Sequence, residues 1–552
     1  MRPHEPVTRA FFATKRSLAQ GAEPSAGLRA RSVFTGLALV LAAALCFKNW
    51  LENFSAMHAL YLEIPFADYW RVVYHLPQIQ RFDFRYLWQQ HNEHRIVFPD
   101  LVFAFDVLVF RMRRVLPVVV SCLCYVSSWL VLACPILRDR KLAPADRVLI
   151  VLVASAAIGW KGSALSLGDP FLLQWSLMSL AALLSLLLLG PQSNAYVAGA
   201  IACGVVATYS CGNGLLLWPV LWTAAALFRL NRRQMVALLL SGCIAIALYF
   251  VGYRFVGDSS FTNLLYHPFY TAGFVATFLS MPFGGMKSPH FGLYVGGAAV
   301  SVFLLLAPAA IRSRNRLGIV SCGWYTFTLI SAVLIAAGRM DPSDTTFTAA
   351  RASRYLVPVM LSWGALLILV LYAAAQRRFA WMPLLPLIVM ALLMLSSRKL
   401  NWWWSFNLRP FVAAQITQLS LENDVFDPEL IRHIFPSPEF VAHYLPELKD
   451  SRLSIYAEPS SLGEMAKSRN MRAAEIERTL PVASGLEVIG RSPVRATRVL
   501  LVNPAGTIIG LGRALPFGLP DELMPPHTAR SEAWIAFVPE RYRGQAFLAF
   551  VP

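Results

Sequence analysis

Eleven long apolar runs, broken by short polar or basic stretches, dictate most of what this chain can fold into. They lie near residues 33–46, 115–137, 148–165, 171–189, 195–209, 215–228, 235–255, 291–311, 317–337, 356–375 and 380–395. Several are shorter than the roughly 20 residues that cross a bilayer squarely, so their ends are soft. Only 14% of the 552 residues are charged and 57% are hydrophobic, against about 25% charged in an ordinary soluble domain. The fold class expected is therefore a mainly α polytopic membrane bundle of about eleven transmembrane helices, with a small β-rich domain at its C-terminus. The eight cysteines sit almost entirely in apolar runs, which suits neither a disulfide framework nor a zinc site.

The net charge of +18 is read first as orientation. Arg138, Arg140, Lys141 and Arg147 form one basic cluster, Arg229, Arg232 and Arg233 a second, Arg312, Arg314 and Arg316 a third, and Arg377 with Arg378 a fourth. With a cytoplasmic basic tail (1–32), a retained first span and this count, all four fall on the cytoplasmic side, as the positive-inside rule asks. The transmembrane domain covers 33–396, with a large first outer loop at 50–114. A helical or linker region (397–480) and a β domain (481–552) then follow on the outer side. Nucleic acid is not an expected partner. Within the first loop, Val97 to Phe110 carries Asp100 and Asp106, costly at a bilayer centre, and is read as an interfacial helix. Thr271 to Met281, ended by Pro282, Gly284 and Gly285, is short and is read as re-entrant. In the tail, Asn401 to Trp404 reads as an interfacial anchor, and strands are expected near 485–489, 499–503, 507–510, 533–538 and 545–550.

Polar residues that are neither punctuation nor tail collect on the expected outer face. They include Asp68, Tyr69 and Trp70; then His91, Asn92, Glu93, His94 and Arg95; then Lys161, Asp169, Asn213, Asp258, His267, Lys287 and His290; and finally Arg339, Arg351, Arg354 and Tyr355. Each admits a plain reading. Asp68 with its aromatic neighbours fits a capped interfacial belt. Asn213 between Gly212 and Gly214 fits a tight turn, and Asp169 before Pro170 fits a helix start. His91 and His94 would share a face if helical and could then hold a divalent metal. The order His-Asn-Glu-His lacks a third ligand at fixed spacing, however, so a polar wall is favoured and no cofactor is expected. Arg351 and Arg354, one helical turn apart, either clamp a phosphate or end a solvated helix.

On these features the chain resembles the GT-C superfamily of integral-membrane glycosyltransferases, in its bacterial polyprenyl-phosphate-sugar-dependent branches. It is similar, too, to bacterial polytopic proteins that share the His91-Asn-Glu-His-Arg95 block, the Gly-Asn-Gly214 turn and Ser353-Arg-Tyr355. The resemblance spans most of residues 32 to about 460, rests on short motifs, and departs from the superfamily where a second carboxylate often follows the first, here Tyr69 after Asp68. It implies an inner-membrane enzyme that moves a sugar, with inversion, from a polyprenyl-phosphate donor to a hydroxyl of a glycan or lipid acceptor. Asp68, or else Glu93, would be the general base. Arg351 and Arg354, with Arg339 or Lys287, would hold the phosphate, and Tyr69, Trp70 or Trp88 would stack on sugar or flank lipid. Tyr355, Asn213, Asn92 and the histidine block would line the cleft. The competing expectations are a flippase for a lipid-linked envelope precursor and a noncatalytic assembly protein.

Overall fold

The computed structural model describes residues 26–255, 264, 266–283, 289–339, 341, 343–344, 346–376, 408–466, 471–492, 496–516 and 532–552, with backbone only for 26–32 and 289–290. The expected eleventh span (380–395), the tryptophan anchor, Arg377, Arg378, Asp258, Lys287 and most of the N-terminal tail lie outside these residues, as does the His290 side chain.

The apolar runs do become helices: α1 (Ala26–Leu60), α2 (Val97–Phe110), α3 (Val115–Leu137), α4 (Pro144–Ile158), α5 (Leu173–Leu188), α6 (Asn194–Thr208), α7 (Leu217–Leu227), α8 (Arg232–Tyr249), α9 (Pro268–Leu279), α10 (Pro289–Arg312), α11 (Arg316–Arg339) and α12 (Leu356–Gln376). Among the described residues seven helices are long and apolar enough to span a membrane. An eighth crossing follows if α4 and the segment Lys161–Leu167, bent by 46° from it, form one span. Helices α6, α7 and α9 are apolar but shorter, so the count of eleven is not reached on length. Burial separates inner from outer helices. The spans at α5 (67% buried), α11 (67%) and α12 (78%) form the centre, whereas α1 and α10 (22% each) present Val33, Leu37, Val40, Leu304 and Leu305 outward, as lipid-facing helices do.

Contacts inside the bundle use small and hydroxylated side chains. Ser121 and Ser176 meet at 2.7 Å, and Ser362 donates to Thr328 at 2.8 Å. The bend after α4 frees backbone carbonyls, and the protein re-satisfies them. Asn49 donates to Ala156 O (2.7 Å), Tyr125 to Ile158 O (2.8 Å) and Asn53 to Trp160 O (2.9 Å). In hydrocarbon each such group left unpaired costs several kcal/mol. All eight cysteines are free.

Turns segregate to two ends of the bundle. At one end, Arg316 donates to Leu187 O, Asn315 to Tyr372, Tyr372 to Asp139, and Gln192 to Phe228 O, bringing together the turns after α3, α5, α7 and α10. The first loop and the tail meet at the other end. A helix over 408–422, α13, sends Gln415 to Ala59 O (2.8 Å), while its Gln418 accepts from Glu63 N (2.9 Å). Ser454 donates to Glu63 O, and Arg113 pairs with Glu458. The opposite side of α13, through Val412, Ile416 and Leu419, packs on Ile489, Ile535 and Phe537 of the C-terminal sheet.

That sheet is a closed six-stranded antiparallel barrel, β1 (Arg472–Val482), β2 (Gly485–Arg491), β3 (Val499–Val502), β4 (Ile508–Arg513), β5 (Ala533–Pro539) and β6 (Leu548–Val551), ordered β1-β2-β5-β4-β3-β6. Five strands fall where hydrophobic alternation puts them. Strand β1 begins ahead of the expected boundary at 481, because Arg472 to Val482 reads as polar; its exposed residues face solvent while its backbone closes the barrel between β2 and β6. Closure removes every free edge.

Candidate functional site

Asp68 sits in a one-turn 3-10 helix, Ala67–Tyr69, entered through Ala67 at φ 49° and pinned by Ala67 N to Ile434 O (2.8 Å). Its neighbours are anchors. The Tyr69 ring packs edge-on against Phe103 with its hydroxyl donating to Asp106 (3.4 Å), and Trp70 is sealed against Phe435 and Phe440. Both are 0% exposed, which corrects the expectation that they stack on a sugar. Between them only the carboxylate of Asp68 faces outward, with its side chain 55% exposed.

His91 to His94 is a tight turn and not a helix. His91 N donates to His94 O and His94 N to His91 O, both at 2.8 Å, with Asn92 at φ 47°. The shared helical face imagined for a metal pair therefore does not exist. His91 instead turns Nε2 to Asp68 at 3.8 Å while its ring edges Phe171. The interaction with His91, working against burial, holds the Asp68 carboxyl below its usual range, and Arg354 adds to the effect. His94 accepts from Gly212 N through Nδ1 (3.1 Å), and burial pushes its pKa well down, so the ring is neutral near pH 7. Only glycine fits at 212, since a Cβ there would lie 2.7 Å from His94 Nδ1 and 3.0 Å from the Tyr249 hydroxyl.

The remaining expected groups divide sharply. Glu93 is ion-paired with Arg339 at 3.0 Å, with both side chains near half exposed, so neither is free for the role expected of it. Arg95 is 2% exposed and donates to the backbone carbonyls of Tyr249 (2.7 Å), Val251 and Trp88. It latches the turn onto the end of α8 and is not a substrate group. Asn92 is exposed beside His91. Asn213 is buried in its turn, its Nδ2 without a partner among the described residues, and Tyr355 packs under Trp175 and Phe278. Arg351 and Arg354 do not share a helix, because Ala352 (φ −63°, ψ 131°) splits two 3-10 turns. Arg351 feels Asp344, whereas Arg354 acts on Asp68 and His94. The Arg354 Nε is buried with no acceptor among the described residues.

Sequence reasoning missed several residues that build this centre. Asp169 is the helix cap expected of it, accepting from Phe171 N (3.0 Å). It is also a second carboxylate in electrostatic contact with Asp68, and burial pushes it up to about 6. Arg114, 1% exposed, donates to Leu62 O and Ile64 O, stacks over Tyr69 at 5.1 Å and receives Asp106 on its backbone N–H (2.9 Å). Asp100 is paired with Arg71 at 3.1 Å. The signal was present in the two acids of α2, which needed cationic partners if α2 was to pack at all. Among the described residues no three His, Cys, Asp or Glu side chains are grouped so as to hold a metal ion.

The chemistry of the arrangement is compact: an exposed, ionised carboxylate, a second buried one, a neutral histidine, and a guanidinium with an unused donor. Comparison with protein-family models, with curated proteins and with solved structures finds no match to this chain.

Proposed function

We propose that the chain is a membrane glycosyltransferase that moves a sugar from a polyprenyl-phosphate donor to an acceptor hydroxyl at the end of the bundle where Asp68 lies. That end is the outer face of a bacterial inner membrane, and the C-terminal barrel lies on the same side. The observation that carries the reading is an exposed Asp68 carboxylate, turned to His91, within electrostatic reach of Arg354. Of the cations expected on this face, Arg95 and Arg339 are occupied within the protein, while Arg354 keeps a buried donor with no acceptor among the described residues and acts electrostatically on the open carboxylate. An acceptor O–H attacking C1 of the sugar gives its proton to Asp68 as the C1–O bond to phosphate breaks, inverting the centre. The departing polyprenyl phosphate takes the electron pair, and Arg354 stabilises its charge. The low pKa keeps Asp68 ionised throughout the neutral range, and the Glu93–Arg339 pair leaves Glu93 no part in the transfer.

The test uses full-length protein in nanodiscs with a panel of polyprenyl-phosphate hexoses and pentoses, reading release of polyprenyl phosphate. Asp68→Asn is expected to lower turnover by about 10²–10⁴ with unchanged folding, and Arg354→Gln to raise KM and lower kcat together. No turnover of any donor by the wild type, or full turnover by Asp68→Asn, refutes the proposal.

A further inference from the structure

The end of the bundle opposite Asp68 holds a cavity of about 300 Å³ at the meeting of α3, α5 and α11, at the small end of the range for ligand pockets. Its polar lining is Arg138, Asp139, Lys141, Asn315 and Arg316. The one carboxylate is already engaged, as Asp139 accepts from Lys141 N (2.9 Å) and from the Tyr372 hydroxyl. Asn315 is fixed too, donating to Tyr372 at 2.8 Å and accepting from Gly318 N (3.1 Å) as cap of α11.

The cations are not so occupied. Arg316 spends one Nη on Leu187 O (2.7 Å), but its Nε is buried with no acceptor among the described residues. Gly190 lets the guanidinium lie against backbone, since a Cβ there would come within 2.7 Å of that Nε. The side chains of Arg138 and Lys141 make no ion pair with any described residue, and Arg138 is close enough to Arg316 to repel it. Three positive charges facing one spent carboxylate leave the cavity cationic, with two guanidinium forks suited to tetrahedral oxyanions. Pro135, Leu187 and Leu317 supply an apolar wall beside them.

We propose that this cavity binds a phosphate group, independently of any transfer at the opposite end. The group belongs either to an anionic phospholipid, its acyl chains against the apolar wall, or to a free phosphate. Basic pockets between membrane helices hold anionic headgroups by this chemistry, at about 1 kcal/mol per cation near the surface.

Full-length protein in detergent, titrated with phosphatidylglycerol or phosphatidylcholine and read by native mass spectrometry, tests it. Phosphatidylglycerol is expected to be retained over phosphatidylcholine. The rim double variant Arg138→Gln/Lys141→Gln, which gives up no partner among the described residues, is expected to weaken retention about 25-fold, from roughly fivefold per cation. Arg316→Gln, which removes one cation, should weaken it about fivefold, and if its folding suffers the rim variant still decides. Displacement of the lipid by inorganic phosphate assigns the site to free phosphate, and persistence of the lipid assigns it to the headgroup. Equal retention of the two lipids by the wild type with no displacement by inorganic phosphate, or undiminished phosphatidylglycerol binding by the rim variant, overturns the proposal.

Discussion

Replacing Arg95 separates a latch from a ligand-binding group. Its guanidinium makes three charge-assisted bonds to backbone carbonyls, and only the one to Tyr249 O (2.7 Å) is fully buried. Charge-assisted bonds contribute about 1.5–3 kcal/mol each, but water can replace the two partly exposed ones. Arg95→Met is therefore expected to cost about 3 kcal/mol, mostly from the Tyr249 bond and from lost stacking of the guanidinium 5.0 Å over Trp88. Arg95→Lys keeps the charge but cannot reach three carbonyls with one ammonium, so it should recover less than half of that loss. Reversible denaturation in mixed micelles reads both values. The same experiment followed by NMR should show the Asp68 pKa rising toward the ordinary carboxylate value in Arg95→Met, because His91 leaves with the unlatched turn. Stability equal to wild type in Arg95→Met, or full recovery in Arg95→Lys, would refute the latch and return Arg95 to the solvent-facing role.

Other consequences are equally measurable. Arg114→Met removes the buried guanidinium that donates to Leu62 O and Ile64 O, while its backbone N–H still serves Asp106, and should destabilise by about 3–5 kcal/mol, seen as a lower denaturation midpoint with Leu62 to Ile64 newly open to hydrogen exchange. Burial raises Asp100 to about 6 despite Arg71, so the folded state holds its proton more tightly than the unfolded chain. Its contribution is then fully present below about pH 4 and lost as pH rises to about 6, a fall of up to about 3 kcal/mol. Asp100→Asn should flatten that part of the stability curve, and an unchanged slope would sink the assignment. Asp68, with its lowered pKa, acts in the opposite sense: its contribution is present above about pH 4 and lost on acidification. Gly212→Ala should cost about 1–3 kcal/mol by overpacking against His94 and Tyr249, and a crystal structure of the variant should show His94 displaced.

Local pattern made much of this architecture legible. Apolar runs marked ten of the described helices, seven of them to within two residues at either end, because a span must be apolar along its whole length whatever surrounds it; α1 runs fourteen residues past the expected end at 46. Asp169 before Pro170 marked a cap, since a cap depends on residues next to one another. Strand β1 escaped notice because its outward face is polar and its pairing partners lie elsewhere in the chain.

The site was legible in its residue types and not in their employment. Sequence alone brought Asp68, the histidine block and a surplus of arginines to one set of loops. Which arginine remained free was decided by contacts far apart in the chain: Arg95 with residues 249 and 251, Arg339 with Glu93, Arg114 with Leu62 and Asp106. A guanidinium has the same charge and the same donors in every setting, so only the tertiary structure could tell those already bonded within the protein from Arg354, whose Nε has no acceptor among the described residues and whose charge acts on Asp68.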